Sequence, residues 1–464
     1  KKEEIIPERA QAKETVKRYA QIDILIESTV KKGTPIGKYI LTKKIDDVLI
    51  HPIFGYVVFL SILFLLFQAV FSWSAYPMEL IDELFTNLQQ FTADSMPKGM
   101  LNDLVVNGIL AGLGGIVIFV PQIAFLFAFI AFLEDTGYMA RVSFITDKLL
   151  RGVGLNGRSI IPLLSGAACA VPAIMSARTI SSWKERLITI MVTPLMSCSA
   201  RLPVYTLIIS LVIPADEFVG FNLQGLVMMA FYLIGFVSAI AIAFLMKFII
   251  ESKERSYYIM EMPSYKIPDW KTVLYTIIEK VKVFLFDAGK IIIAISIVLW
   301  VLSSFAPGNK FEQIEQKWAG IENAEIQISA DKLEHSYAGI IGKSIEPAIK
   351  PLGFDWKIGI SLLTSFAARE VFVGTMSTIY SVGDDDIRSI QKRLADVKRQ
   401  DGEKFFTPAV GISLMLFYAF AMQCMSTLVI VYRETNHVKW PIIQFLYMGI
   451  MAYLSSFIAF QLLS

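Results

Sequence analysis

Long runs of apolar residues without charge set the strongest limit on what this chain can fold into. Residues 53–73 contain no Asp, Glu, Lys or Arg, and residues 225–250 contain only Lys247. About 20 consecutive apolar residues are needed for a helix to cross a bilayer. Over the whole chain 55% of residues are hydrophobic and 18% are charged, against about 25% charged in soluble domains. The sequence therefore predicts an all-α, polytopic membrane protein whose surroundings are the lipid bilayer.

Charge, cysteine content and short motifs exclude several other classes of function. The net charge is +2, so no nucleic-acid partner is expected. The three cysteines are far apart and include no CxxC pair, which excludes a disulfide framework. Gly342-Lys343-Ser344 resembles part of a phosphate-binding loop, but Tyr337 stands where that loop requires its first glycine. We therefore expect neither a nucleotide site nor a catalytic site in this chain.

Charged loops divide the chain into regions. Residues 1–50, with a predicted helix at 14–30, form a cytoplasmic linker, and residues 251–282 form a basic cytoplasmic connector. Residues 51–103 contain the first span and an acidic external loop; a second polar loop, 306–354, is also expected outside. The two halves of the membrane domain are 104–250 and 283–464. Seven full spans are expected, at 53–73, 104–133 (kinked at Pro121), 187–213, 225–250, 283–305, 408–432 and 440–463.

Two further apolar segments are interrupted and are not expected to form continuous helices. Residues 159–177 contain Pro162, Gly166 and Pro172, and residues 358–380 contain Gly359, the Arg369-Glu370 pair and Gly374. Because backbone exposed to lipid must be hydrogen-bonded internally, broken segments of this kind are favoured only where protein surrounds them. The sequence therefore predicts a discontinuous, re-entrant helical hairpin at each position.

An internal repeat relates the two interrupted segments. A shift of 199 residues aligns Tyr138 with Tyr337 and Gly154 with Gly353, and it brings the two broken segments into register. Three spans separate the beginnings of the two units, so the second unit is predicted to run through the membrane upside down. Inverted repeats with discontinuous helices are typical of transporters that bind their substrate near the midplane, between the two breaks.

Sulfur-containing side chains cluster in and beside the broken segments. Cys169 lies at the centre of the first break, and Cys198 and Cys424 occupy equivalent helices of the two halves, with Met196 and Met422 each two residues before one of them. Thiolate and thioether ligands suit soft or borderline cations. A buried cysteine is more often a small apolar side chain and a methionine a gap-filler, so metal binding and plain packing both stay open for these residues.

A few ionisable groups also interrupt the apolar regions. Glu370, beside Arg369, is predicted to bind or gate a cation, although a structural Arg–Glu pair is the alternative. Arg201 lies inside an apolar helix, where it could act as a gate or pair with Glu134 or Glu370. Glu134 and Asp135 end the second span and are candidates for an accessory site at the inner entrance, or for an interfacial start to the next helix.

Several segments together resemble the membrane domain of the prokaryotic ferrous iron transport protein B family. The resemblance covers nearly the whole chain and is carried by HPIFG (51–55), LEDTGYMAR (133–141), CAVPAIMSAR (169–178), TPLMSCSARLP (193–203), REVFVGT (369–375) and RET (433–435).

The resemblance implies uptake of Fe(II) across the cytoplasmic membrane. The two broken units look like the gate-type repeats of nucleoside carriers, and GTP and Mg²⁺ would be bound only by a GTPase domain that precedes residues 1–50. Small cytoplasmic Feo accessory proteins and a homo-oligomer are further partners to expect. Because the chain starts at Lys1 and has no signal peptide or phosphate-binding loop, we expect that such an upstream segment is missing.

Two features of the sequence depart from the family pattern. Ala168 and Ala170 stand where the family commonly has Gly and Asn beside the first cysteine, and Gln423 replaces a proline before the third. An Asn carbonyl ligand is therefore absent, and the Gln423 side chain is a possible extra oxygen ligand. The leading expectation is a site of Cys169, Cys198, Cys424 and Glu370 for transported Fe(II). The alternative is a carrier for a nucleoside-like organic solute, which would place more Asn, Gln and Ser at the hairpin tips.

Overall fold

A computed structural model describes residues 7–29, 37–51, 53–97, 99–214, 217–218, 221–250, 262–318, 325–366, 369, 371–380, 394, 397, 404–422 and 424–464. Nearly all of this is helical. The exception is a two-residue antiparallel pair, β1 (Glu217–Phe218) with β2 (Phe221–Asn222), in which Glu217 faces Asn222. The prediction of an all-α protein is therefore confirmed in its main feature.

Two helices precede the membrane region: α1 (Pro7–Thr29) and α2 (Gly37–Leu49). The predicted helix at 14–30 is thus confirmed. Its apolar residues Val16, Tyr19 and Leu25 are all exposed, so α1 packs no apolar face against the described part of the chain.

Two long helical rods follow, and each contains a π-helical segment. The first consists of α3 (Phe54–Gln68), a π segment (Ala69–Trp73) and α4 (Ala75–Ser95). The second runs antiparallel and consists of α5 (Met100–Asp103), a π segment (Leu104–Leu110), α6 (Ala111–Val117) and α7 (Val120–Asp135). The predicted kink is confirmed, because the helix breaks at Ile118–Phe119, just before Pro121, which has no N–H to continue it.

Helix α4 lies where the sequence predicted an external loop. Tyr76, Leu80, Leu84 and Leu88 recur every four residues and form one exposed apolar stripe, which is the pattern of a helix. Four of the acidic residues that suggested a loop, Glu79, Asp82, Glu83 and Asp94, lie within this helix.

The first half of the membrane domain continues with two short helices that form a hairpin. The elements are α8 (Tyr138–Arg151), α9 (Ile160–Ala168), α10 (Ala170–Ser176), α11 (Trp183–Val192), α12 (Leu202–Val212) and α13 (Leu223–Ile249). The hairpin is α9–α10, which contact each other along their length.

The second half has a corresponding hairpin, α19–α20. Its elements are α14 (Trp270–Val283), a π segment (Phe284–Ala288), α15 (Gly289–Ser304), α16 (Lys310–Trp318), α17 (Glu325–His335), α18 (Tyr337–Ile349), α19 (Trp356–Thr364), α20 (Val371–Ile379), α21 (Pro408–Phe420), α22 (Met425–Thr435) and α23 (Lys439–Leu463). The expected polar loop at 306–354 is therefore mostly helical. Lys343 lies inside α18, so the Gly-Lys-Ser tripeptide does not follow a strand.

Five helical stretches among the described residues are long and apolar enough to cross a membrane: Met100–Asp135, Trp183–Val212, Leu223–Ile249, Pro408–Thr435 and Lys439–Leu463. A sixth candidate is the bent pair Thr42–Leu49 and Phe54–Gln68, which turns by 89°. Ile292–Ser304 is apolar but shorter. These stretches support a multi-pass membrane protein, and the count of seven full spans stays a prediction.

The two halves correspond in structural detail at the spacing of the sequence repeat. Helices α8 and α18 begin at the aligned residues Tyr138 and Tyr337. The aligned glycines Gly154 and Gly353 both have a left-handed backbone, with φ of 84° and 86°, a conformation that only glycine adopts without strain. These matches support the repeat; the inversion of its second unit stays a prediction.

The two halves share one core. Buried residues of the first half, such as Tyr205 and Ile208, belong to the same apolar cluster as Phe372, Leu414 and Tyr418 of the second. Helix α21 packs against both α12 and α23. The two hairpins are therefore held in one continuous body.

Candidate cation site

Each of the three cysteines lies at a break between two helices, with an extended backbone. Cys169 separates α9 from α10 (φ −154°, ψ 130°). Cys198 immediately precedes the short helix Ser199–Arg201 that leads into α12 (φ −87°, ψ 163°), and Cys424 immediately precedes α22 (φ −134°, ψ 99°). Every cysteine is therefore the residue before the first turn of a helix, where backbone N–H groups lack helical acceptors. The predicted interruption at Cys169 is confirmed.

The three breaks meet at one cavity of about 110 Å³, which we call the thiol cavity. Cys169, Cys198 and Cys424 line it together with the two predicted thioether side chains, Met196 and Met422. All three cysteines are half-buried. Residues up to 255 positions apart in sequence are thus brought to one place, as the repeat predicts.

Arg369 also lines the thiol cavity, and it holds the break that precedes Cys424. Its Nη1 donates to the carbonyl of Tyr418 (3.5 Å) and its Nη2 to the carbonyl of Ala421 (3.4 Å). In return, the Tyr418 hydroxyl donates to the carbonyl of Arg369 (3.2 Å). The guanidinium therefore links the second hairpin to the end of α21, and it places a positive charge beside the sulfur atoms.

Arg201 holds the corresponding break in the first half from within its own segment. It is fully buried, and Nη2 donates to the carbonyl of Pro194 (3.2 Å) while Nη1 donates to those of Leu195 (3.4 Å) and Met196 (3.2 Å). Its Nε is buried and has no hydrogen-bond partner among the residues that the structure describes. This arrangement ties a loop closed, whereas the sequence suggested a gate or a partner for Glu134 or Glu370; the gating role stays a prediction.

Three polar residues of the thiol cavity were not identified from the sequence. Gln122, Ser426 and Thr427 are each more than nine-tenths buried and line the cavity. Among the residues that the structure describes, their side chains form no hydrogen bond. One signal was available: Gln122 is the only polar side chain in α7 before Glu134.

Glu134 and Asp135 line a different cavity, of about 340 Å³, which we call the inner cavity. They lie twelve or more residues beyond Gln122 on α7, which is about 18 Å along a helix. Asp135 Oδ2 accepts a hydrogen bond from the backbone N–H of Asp269 (2.6 Å), and Glu134 is exposed. The two acids therefore do not join the thiols in this structure.

Two of the predicted site residues, Glu370 and Gln423, lie outside the described residues. Within the described ranges, no group of three or more His, Cys, Asp and Glu side chains is placed to hold a metal ion. The thiols thus share a cavity without forming a closed coordination shell.

A buried carboxylate connects the two halves away from the thiol cavity. Glu434 near the end of α22 has a side chain only 2% exposed and binds both Arg178 after α10 (2.5 Å) and Arg186 on α11 (2.7 Å). We call these three residues the Glu434 clamp. It joins the first hairpin and α11 of one half to α22 of the other.

A second buried network attaches the N-terminal segment. Arg141 on α8 is 1% exposed; its Nε and Nη2 donate to the carboxylate of Asp46 on α2 (3.0 and 3.1 Å). The Tyr265 hydroxyl donates to the same carboxylate (2.9 Å), and its ring lies under the guanidinium (4.2 Å). Burial and the hydrogen bond to Asp46 raise the pKa of Tyr265. We call this group the Asp46 junction.

Comparisons with known proteins agree with this arrangement. Residues 116–212 and 285–438 match the Gate family, described as nucleoside recognition. Together these ranges make up more than half of the chain and contain all three cysteines. The fold and the cavity thus define a helical membrane protein of the Gate class.

A second family match and individual relatives narrow this class. Residues 228–280 match the C terminus of ferrous iron transport protein B. The Fe(2+) transporter FeoB of Leptospira biflexa is 45% identical over 90% of this chain and 59% of its own length, and that of Leptospira interrogans is 44% identical over 94% and 62%. The Fe(2+) transport protein A/Fe(2+) transporter FeoB fusion protein of Porphyromonas gingivalis is 37% identical over 91% and 51%.

The chain belongs to the ferrous iron transport protein B family. It spans about three-fifths of the length of the two Leptospira relatives. No solved structure matches it.

Proposed function

We propose that this chain is the membrane part of a ferrous iron transporter and that Fe(II) crosses through the thiol cavity. The observation that carries the proposal is the convergence of three cysteines, each at a helix break, on one cavity. The names of the relatives as Fe(2+) transporters support the choice of substrate.

The charges of the cavity fit a cation bound by thiolates. Fe(II) brings two positive charges and Arg369 one, and an unpaired cation at membrane depth is costly. Cysteine binds a metal as the thiolate, so two or three thiolates would offset most of this charge. The helix N-termini at the three cysteines also favour negative charge at those positions. Glu370, adjacent to Arg369 in sequence, is a further candidate for the balancing charge.

We assign the inner cavity to the cytoplasmic side. Helix α8 begins directly after Gly137, which lines this cavity. It carries Arg141, Lys148 and Arg151, and an excess of basic residues is typical of cytoplasmic segments. Glu134 would then meet Fe(II) as it leaves the thiol cavity. The same assignment places α1 and α2 in the cytoplasm of a prokaryotic cell.

The relatives extend beyond this chain, and we propose that an upstream GTPase domain acts on transport through α2. The Asp46 junction supports this route, because it joins α2 directly to α8 and the connector that precedes α14. The fusion protein of P. gingivalis supports a further partner, a small Feo accessory protein. A homo-oligomer is compatible with the exposed apolar stripe of α4.

Fe(II) uptake into proteoliposomes containing the full chain tests the proposal. We expect Cys169→Ser, Cys198→Ser and Cys424→Ser to reduce uptake at least tenfold each, and Met422→Leu to reduce it several-fold. Met415→Leu is the matched control, since Met415 is equally buried but does not line the cavity. Full uptake by all three serine variants would disprove sulfur ligation.

The alternative, a carrier for a nucleoside-like solute, has one observation in its favour: Gln122, Ser426 and Thr427 line the cavity with hydrogen-bonding groups that have no partner in the described part of the chain. The same proteoliposomes, loaded with a panel of nucleosides, separate the two functions. Nucleoside flux that is insensitive to the three serine substitutions would favour the alternative.

A further inference from the structure

A second, larger cavity adjoins the thiol cavity. It has a volume of about 510 Å³, and we call it the vestibule. The two cavities share five lining residues: Gly115, Phe119, Gln122, Ser199 and Ala200. They are therefore separated only by this shared wall, which contains a single long polar side chain, that of Gln122.

Gln122 is the only polar side chain of α7 before Glu134. The residue is 8% exposed, and its amide forms no hydrogen bond within the described part of the chain. Because the amide atoms themselves are not closed off by protein, they reach the space of the two cavities that the residue lines. An unpaired amide between two cavities points to a ligand that binds there.

The backbone just before Gln122 also has two carbonyls, of Gly115 and Val117, that lack their helical donors. At the break between α6 and α7, the Phe119 N–H donates to the carbonyl of Ile116 (3.3 Å) instead of that of Gly115. Pro121 has no N–H for the carbonyl of Val117. Unwound carbonyls at the break of a membrane helix coordinate cations in other transporter architectures.

The vestibule carries negative charge where the thiol cavity carries Arg369. Glu79 and Asp82 lie one turn apart on α4 and line the vestibule; both are exposed. In the described ranges neither side chain has an ion-pair partner, and no Lys or Arg lines this cavity. A cleft lined by one sign of charge concentrates ions of the opposite sign.

We propose that the vestibule is a second cation site, which holds a hydrated divalent cation by oxygen ligands before Gln122 passes it to the sulfur atoms. This inference rests on the proposed transport through the thiol cavity. The carboxylates of Glu79 and Asp82 attract the cation with its water shell. The Gln122 amide oxygen, at the shared wall, replaces part of that shell.

Two probe ions separate the two sites, because Mn(II) prefers oxygen ligands and Co(II) bound to thiolates has a characteristic absorption. Binding of Mn(II) to the purified full chain is followed by electron paramagnetic resonance. We expect Gln122→Leu to weaken Mn(II) binding at least tenfold, and Glu79→Gln/Asp82→Asn, which alters only the vestibule, to leave the Co(II)–thiolate band unchanged. Cys169→Ser should weaken the Co(II)–thiolate band and leave Mn(II) binding unchanged.

The acidic residues give a second test that does not depend on a buried substitution. The double variant Glu79→Gln/Asp82→Asn should weaken Mn(II) binding three- to tenfold at low salt, and less at high salt, because salt screens exposed charges. Glu83→Gln is the control, since it is exposed on the same helix but does not line the vestibule.

The outcomes distinguish this inference from the proposed function. Unchanged Mn(II) binding in both the Gln122→Leu protein and the double variant would overturn the vestibule site, even if the Co(II)–thiolate band is present. Loss of Mn(II) binding only in the cysteine variants would also overturn it. Absence of a Co(II)–thiolate band in the parent protein would count against the thiol site alone.

Discussion

The two helix breaks that carry Cys198 and Cys424 are closed in different ways. The first is tied by Arg201, which is fully buried and binds three carbonyls that lie five to seven residues before it in its own segment. The second is tied by Arg369, which reaches from the second hairpin and makes two long hydrogen bonds of 3.4 and 3.5 Å. The first break is therefore self-contained, whereas the second depends on where the hairpin lies. In the transport proposed above, the second half would therefore be the part that moves and the first half its frame.

The largest effect is expected at the self-contained break. Arg201→Ala removes charged hydrogen bonds to the carbonyls of Pro194, Leu195 and Met196, each worth about 1.5–3 kcal/mol. The protein should lose about 3 kcal/mol or more of stability, since buried carbonyls are left unpaired. The melting temperature of the detergent-solubilised protein measures the loss, with Arg201→Lys as an intermediate. A variant that melts like the parent would remove the basis for the comparison.

A smaller loss is expected where the two halves meet. Glu434→Gln removes the charge that binds Arg178 and Arg186, and a hydrogen-bonded charge is worth roughly 2 kcal/mol. If the halves move against each other, this variant should also change the rate of Fe(II) uptake, whereas Glu312→Gln, exposed on α16, should change neither. Loss of stability without any change in uptake would mean that the Glu434 clamp is fixed throughout transport.

Arg369→Ala should cost less stability than either, about 1 kcal/mol, because within the described residues its guanidinium binds two carbonyls, at 3.4 and 3.5 Å, whereas Arg201 binds three, at 3.2 to 3.4 Å. Its effect on Fe(II) uptake should nevertheless exceed that of the more destabilising Glu434→Gln, because Arg369 lines the thiol cavity. Melting temperature and uptake are measured on the same preparations. A stability loss as large as that of Arg201→Ala would show that the two breaks are equally rigid.

The smallest effect concerns the attachment of α2 to the frame. Tyr265→Phe removes one hydrogen bond to Asp46, worth about 1 kcal/mol, but keeps the aromatic ring under Arg141. Because the pKa of Tyr265 is raised in the folded protein, its contribution is complete below the usual tyrosine pKa of about 10 and is lost as pH rises from there towards the raised value. The unfolding curves of parent and variant should therefore differ at neutral pH and converge at alkaline pH. The exposed Tyr275→Phe should show no such pH dependence, and equal curves at both pH values would contradict the role of the Asp46 junction.

Much of this architecture follows from the sequence. Proline and glycine at 162, 166 and 172 predict the first hairpin, because these residues interrupt helical hydrogen bonding. The repeat predicts that distant cysteines share a site, since it places them at equivalent breaks. The kink before Pro121 follows from the missing N–H alone.

Other features could not be predicted, for identifiable physical reasons. Arg201 binds backbone carbonyls, and carbonyl acceptors carry no sequence signal, so the sequence suggested a charged partner instead. The acidic residues of α4 alone favour a loop, and only the four-residue spacing of Tyr76, Leu80 and Leu84 indicates a helix. The importance of Gln122 depends on which cavities it borders, and that is decided only by packing.

The position of the cysteines at helix starts has a mechanical consequence. Helix α22 has Cys424 at its beginning and Glu434 near its end, so the Glu434 clamp is a pivot and the helix a lever arm. An arm of 11 residues is about 16 Å long, and a swing of about 10° moves its tip by roughly 3 Å. A metal–sulfur bond measures only about 2.3 Å. If Cys424 binds the ion as proposed, a modest rotation about the pivot is enough to make or break that contact, so that binding and release would be controlled some 16 Å away from the ion itself.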